Sequence, residues 1–188
     1  MPTRATIIAA ADDLFYRQGY AATSFADIAT TVGISRGNFY YHFKTKDEIL
    51  DAVIAERAAR TKALLAQWEA ESTTPAACLH RFVDIFVVNR AKIMRHGCLV
   101  GTLCAELAKL DHAALPDAGA IFTLFRHWLA RHLEALGCPE PDAQALHLLA
   151  RSQGIATLAS TFHDEAFIDR EIAQLHALID HIATSPEA

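Results

Sequence analysis

The apolar residues of this chain recur at intervals of three and four almost from end to end. Nowhere do they alternate with polar residues over the length of a strand. That interval is the period of an α-helix, so the chain is expected to be all-α. The first helix carries Ile7, Ile8, Ala11, Leu14 and Phe15 on one face and stops at Gly19. Ser24 followed by Asp27 reads as a capping box that opens a short second helix, with Phe25, Ile28, Ala29 and Val32 inward and Gly33 at its end. Ser35 caps a short third helix to about Tyr41. Thr45 with Glu48 starts a long fourth helix that runs to about Glu71. Further helices are expected at about 75–95, 99–110, 113–136, 141–162 and 165–183. Gly97, Pro116, Gly137, Pro139 and Pro141 punctuate them. This makes about nine helices, arranged as a small N-terminal bundle over residues 1–48 and a larger one over 49–188. The boundary falls within the fourth helix rather than in a flexible linker.

Composition excludes several classes. Half of the residues are apolar (52%) and a fifth are charged (21%), the balance of a globular protein. No apolar run is long enough for a membrane span. The N-terminus offers neither a signal peptide nor a transit peptide, so a cytoplasmic location is expected. Cys78, Cys98, Cys104 and Cys138 form no CxxC pair and are expected as reduced thiols. Cys98 and Cys104 lie about 9 Å apart along a helix and on different faces, so they cannot bridge. The histidines form no HExxH or ExxH pair, so no catalytic metal, and no other cofactor, is expected. Paired carboxylates, a phosphate loop and a nucleophile motif are all missing, which argues against an enzyme.

The net charge of −5 conceals a local asymmetry. No acid occurs between Ile28 and Lys46, whereas Arg36, Lys44 and Lys46 do. A local basic patch is sufficient to meet phosphates. The same stretch holds two short helices joined at Gly33, where glycine supplies the left-handed backbone of a sharp turn. Ile28, Val32, Ile34 and Phe39 anchor it. Arg36, Asn38, Tyr40, Tyr41 and His42 face outward with hydrogen-bonding groups, as a recognition helix in a major groove does.

The run Ser35-Arg36-Gly37-Asn38-Phe39-Tyr40-Tyr41-His42-Phe43-Lys44-Thr45-Lys46-Asp47-Glu48, with Thr23–Ala29 before it, resembles the signature of the tetracycline-repressor (TetR) family. The resemblance covers about the first fifty residues. It implies a three-helix DNA-binding head, a variable effector domain and a homodimer built on the last two helices (141–162 and 165–183). By position, it implies phosphate contacts from Ser24, Tyr41 and Lys46 and base-edge contacts from Arg36, Gly37, Asn38 and Tyr40. The chemistry agrees, since arginine pairs bidentately with guanine, asparagine with adenine, and Gly37 permits close approach. His42 can either contact phosphate or hold the turn against the fourth helix.

The remainder reads as a regulatory half. Ile168, Ile172, Leu175, Ile179 and Ile182 make one apolar stripe. Leu146, Leu149, Gln153, Ala156 and Ser160 make another, with Gly154 and Ala159 nearby. Doubled by a twofold axis these form a four-helix bundle; alternatively both pack on their own chain. Candidate effector contacts are Trp68, Phe86, Asn89, His96, Cys98, Thr102, Phe122, Phe125, Gln153 and Thr157, aromatics with interspersed polar anchors. A plain core accounts for the same aromatics. Gly97-Cys98-Leu99 resembles the start of the sixth helix in some TetR-type repressors, including electrophile sensors. Cys98 is thus either a reactive thiol beside Arg95 and His96 or a buried core residue. The expectation is a regulator, a repressor released from a palindromic double-stranded DNA operator by a small effector. The alternatives are a thiol-sensing repressor acting through Cys98 and a DNA-binding regulator with no effector.

Overall fold

The structure, a computed structural model, describes residues 4–184. Among the described residues it contains ten helices: α1 (Arg4–Gln18), α2 (Phe25–Val32), α3 (Arg36–His42), α4 (Lys46–Glu71), α5 (Pro75–Val88), α6 (Arg90–His96), α7 (Leu99–Lys109), α8 (Leu115–Ala135), α9 (Pro141–Phe162) and α10 (Glu165–Thr184). None is long and apolar enough to cross a membrane. The expected helix over 75–95 is interrupted. Asn89 leaves the helical region (φ −106°, ψ 14°), closes α5 with its N–H on Ile85 O, and starts α6 by accepting from Ile93 N. If α5 and α6 are taken as one interrupted helix, the number is nine.

Chain contacts divide the molecule into two units. The first comprises residues 1–60 and 99–120. Its core is Ile7, Ala11, Phe15, Ile28, Phe39, Phe43, Ile49 and Leu50, all buried. The turn after α1 is fastened by α7: Glu106 accepts from Tyr20 N and Ala21 N, each at 2.8 Å. Below it lies a buried ion pair, Arg57 Nε to Asp12 Oδ1 at 2.6 Å, with Arg57 Nη1 also donating to Leu99 O at 2.7 Å.

The second unit comprises 61–98 and 121–188. One continuous core joins Trp68, Leu79, Phe82, Phe86, Trp128, Leu133, Leu148 and Ile155 to Ile168, Ile172, Leu175 and Ile179. The α10 stripe is therefore buried within its own chain. Leu149, Ala156 and Ala159 of α9 are buried there as well. The outward line of α9 is a different set, Leu146, Ala150, Gly154, Leu158 and Phe162, spaced by four and all exposed.

Candidate nucleic-acid interface

Three local devices build the motif. Ser24 is the N-cap of α2. Its hydroxyl accepts from Asp27 N (3.2 Å), and Asp27 Oδ2 accepts from Ser24 N (2.8 Å), which completes the capping box. The Ser24 hydroxyl also donates to Asp27, and these bonds hold the Asp27 carboxyl below the usual carboxylate range. Gly33 takes the left-handed conformation (φ 71°, ψ 37°) and returns its N–H to Ala29 O and Thr30 O. Ser35 then caps α3 by accepting from Asn38 N.

Phe39, buried on the inner side of α3, packs edge-on against Phe25 at 5.1 Å between ring centroids. Phe25 also stacks with Tyr40 at 5.8 Å, which fixes that phenol at the rim of α3. Tyr41 is 80% exposed and meets the half-buried His42 edge-on. Gly37 is exposed, and a Cβ added there would meet nothing within 4 Å, so the α3 backbone is open to close approach. Asn38 is half-buried. Lys44 Nζ caps the end of α3 on Tyr40 O. The Arg36 side chain lies outside the described residues.

Lys46 is placed differently from a bare phosphate ligand. Its Nζ donates to Tyr20 O (2.9 Å) and Thr23 O (3.1 Å) and lies 4.2 Å from the centroid of the Tyr20 ring. It thus ties the start of α4 to the α1–α2 turn, with one N–H remaining for an outside acceptor. Glu48 N bonds Thr45 Oγ1 at 3.1 Å, but the Glu48 carboxylate reaches Lys44 N instead of closing a box on Thr45. Tyr20, buried beneath, donates its hydroxyl to Asp47. Burial, then Asp47, pushes the Tyr20 phenol well above its ordinary value, and the phenol holds the Asp47 carboxyl down. Tyr20, Asp47, Glu106 and the Asp12–Arg57 pair support the motif without belonging to it. Sequence reading missed them because their partners lie 27 to 86 residues away.

The ten effector candidates lie in different settings. Trp68 and Phe86 are buried, and Cys98, Phe122 and Phe125 pack half-buried on the same core. Asn89 Nδ2 bonds Ile85 O, Gln153 bonds Ser152 Oγ, and Thr157 bonds Gln153 O, all within or beside their own helices. His96 is half-buried at the end of α6, and Thr102 is exposed on α7. The second unit has an open groove of about 330 Å³, lined by Lys62, Leu65, Ala66 and Glu69 of α4 and Leu124, His127, Trp128 and Arg131 of α8. Trp128 Nε1 is buried there without a hydrogen-bond partner.

A polar, aromatic-rimmed helix carried on a glycine turn and a buried anchor defines a helix-turn-helix DNA-binding protein. The comparisons with known proteins agree. Residues 7–53 match the family model for bacterial regulatory proteins of the tetR family. An uncharacterized HTH-type transcriptional regulator from the lacX 3' region of Lactococcus lactis is 30% identical over 86% of this chain and 85% of its own length. A probable HTH-type transcriptional regulator of Pseudomonas putida, ArpR, is 37% identical over 81% and 78%. The crystal structure of a TetR-family regulator from Agrobacterium tumefaciens shares the fold, with a TM-score of 0.83, 22% identity, and coverage of 93% of this chain and 96% of that one. The chain belongs to the TetR family of DNA-binding transcriptional regulators.

Proposed function

We propose that this regulator is a cytoplasmic, dimeric repressor that holds a palindromic operator through α3 and releases it when a small effector binds. The observation that carries the reading is the outer surface of α3. Tyr40, Tyr41 and the open backbone at Gly37 stand out on a helix whose inner side is locked by Phe39. In this reading Arg36, Gly37, Asn38 and Tyr40 face base edges, while Ser24, Tyr41, His42 and the remaining donor of Lys46 meet phosphates. Asn38→Ala is expected to cost about 1–3 kcal/mol at one base pair and to relax preference there only.

The outward line Leu146, Ala150, Gly154, Leu158 and Phe162 supports a dimer through α9. The small residues in its middle allow a second copy's helix close, and a Cβ at Gly154 would meet nothing within 4 Å. Two heads then read successive turns, about 34–36 Å apart. Effector release is supported by the α4–α8 groove, an apolar wall of Leu65, Leu124 and Trp128 with Lys62 and Arg131 beside it. An aromatic molecule carrying a negative charge fits that lining. Such an effector acts only by binding the DNA-incompetent state more tightly.

Affinity selection of genomic DNA fragments on the purified protein at moderate salt tests the reading. Enrichment of one short palindrome is expected, and the genes beside it narrow the effectors to try. No enrichment by folded, dimeric protein, stripped of small molecules by refolding, would overturn it.

A further inference from the structure

α5 and α10 each carry a histidine and an aspartate four residues apart, His80 with Asp84 and His176 with Asp180. On a helix that spacing puts the two side chains of each pair on one face. The pairing is crossed between the helices. His80 Nε2 lies 3.0 Å from Asp180 Oδ1, and His176 Nε2 lies 3.3 Å from Asp84 Oδ1. The two Nδ1 atoms face each other at 2.6 Å.

This arrangement constrains the nitrogens. A carboxylate accepts, so each Nε2 carries a hydrogen. At 2.6 Å the two Nδ1 atoms either share one further hydrogen, donated by one ring to the other, or turn two lone pairs on a cation held between them. An imidazole whose far N–H is held by a carboxylate is also the arrangement in which histidines ligate metals, because the carboxylate fixes the tautomer and raises the basicity of the ligating nitrogen. With neutral imidazoles the four side chains carry two negative charges, which a divalent cation balances.

We infer that His80 and His176 form a binding site for a divalent transition-metal ion, held through both Nδ1 atoms, with Asp84 and Asp180 orienting the rings from behind. Imidazole donors select zinc, nickel or copper over magnesium and calcium. At a metal–nitrogen distance of about 2.0–2.1 Å, tetrahedral geometry needs the two nitrogens about 3.3 Å apart, so the rings must part by about 0.7 Å. Both side chains are partly exposed (28% and 29%), which leaves room for that movement. Among the described residues no three histidine, cysteine or acidic donors converge on one point. Water, or one aspartate swung round from its imidazole, therefore completes the coordination. Arg81, next to His80 in the chain, is engaged with Glu71, and Arg151 of α9 with Glu171 of α10. The site joins α10 to α5 and does not depend on the DNA-binding reading.

Calorimetric titration of the tag-free protein with NiCl₂ and ZnCl₂ tests the inference, beside His80→Gln, His176→Gln and the double variant. One metal per chain is expected in excess of whatever the double variant binds. Either single variant should lose at least tenfold in affinity, and Asp84→Asn with Asp180→Asn about tenfold or more. CuSO₄ added to the wild type should give an electron paramagnetic resonance spectrum with coupling to two imidazole nitrogens, reduced to one in either single variant. Metal should raise the melting temperature of the wild type and not of the double variant. Equal metal uptake by the wild type and a folded double variant would overturn the site. So would competition from magnesium at equal concentration.

Discussion

At the scale of single residues, the head is held by charged groups that bond within the protein and, in the proposed function, meet DNA as well. Lys46 is the clearest. Read from its position in the chain it is a phosphate ligand; in the fold its ammonium also bridges the Tyr20 and Thr23 carbonyls. Lys46→Ala is therefore expected to do two things: lower stability by about 1–2 kcal/mol, because two charge-assisted bonds are lost at a half-buried site, and weaken binding to all DNA sequences alike, with the salt slope reduced by about one unit. Urea denaturation and binding across a salt series separate the two. A stability loss with an unchanged slope would make Lys46 a clamp alone. Beside it, the Tyr20 phenol is raised above its ordinary value by burial and by Asp47. A phenol whose folded pKa exceeds its unfolded value of about 10 favours the fold while protonated. That stability is complete below about pH 10 and is lost as pH rises through the folded pKa. Tyr20→Phe should flatten the alkaline fall in urea midpoint while leaving the core filled.

At the scale of elements, the support for the motif is an ion pair between helices. Asp12 of α1 holds the buried Arg57 of α4, and Arg60 adds a more exposed contact at 3.2 Å. Asp12→Ala leaves a buried guanidinium without its carboxylate and is expected to cost about 3–5 kcal/mol. Asp12→Ala with Arg57→Met should cost less than Asp12→Ala alone, because no buried charge remains. Thermal and urea unfolding of both variants give the comparison. The same elements show where sequence suffices. Ser24 with Asp27, Gly33 and Ser35 are local signals, decided by bonds spanning three or four residues, and each is legible. The break at Asn89 is not, since Val87, Val88 and Asn89 continue the helical pattern without a glycine or proline. Tertiary partners such as Glu106 under the Tyr20 amides are equally invisible, because nothing near residue 20 names an acid 86 residues on. The apolar stripes were legible as stripes, but their direction was not. Ile168, Ile172, Leu175 and Ile179 face their own core, and the period alone is the same for a core face and for an interface.

At the scale of the whole molecule, recognition of a palindrome needs two heads, and the exposed line of α9 offers a seam to join two chains. Leu158 and Phe162 are 40% and 66% exposed on α9, large apolar groups that a lone chain leaves in water. Their burial against a second copy would stabilise a dimer by about 1.5–3 kcal/mol for each side chain fully covered, and each contributes twice across a twofold axis. Leu158→Asp with Phe162→Asp puts four carboxylates into that seam, so the dimer should dissociate to monomers with helical content unchanged. Both side chains point away from the core, so the cost to the single chain is small. Each head would then bind its half-site separately. Joining two sites raises apparent affinity by about 10²–10⁴, and the loss should be of that order. Sedimentation equilibrium and operator titration on one preparation measure both quantities. Monomers with lost operator affinity would place the dimer on the outward face of α9, whereas a dimer that survives both substitutions would move the interface to another surface.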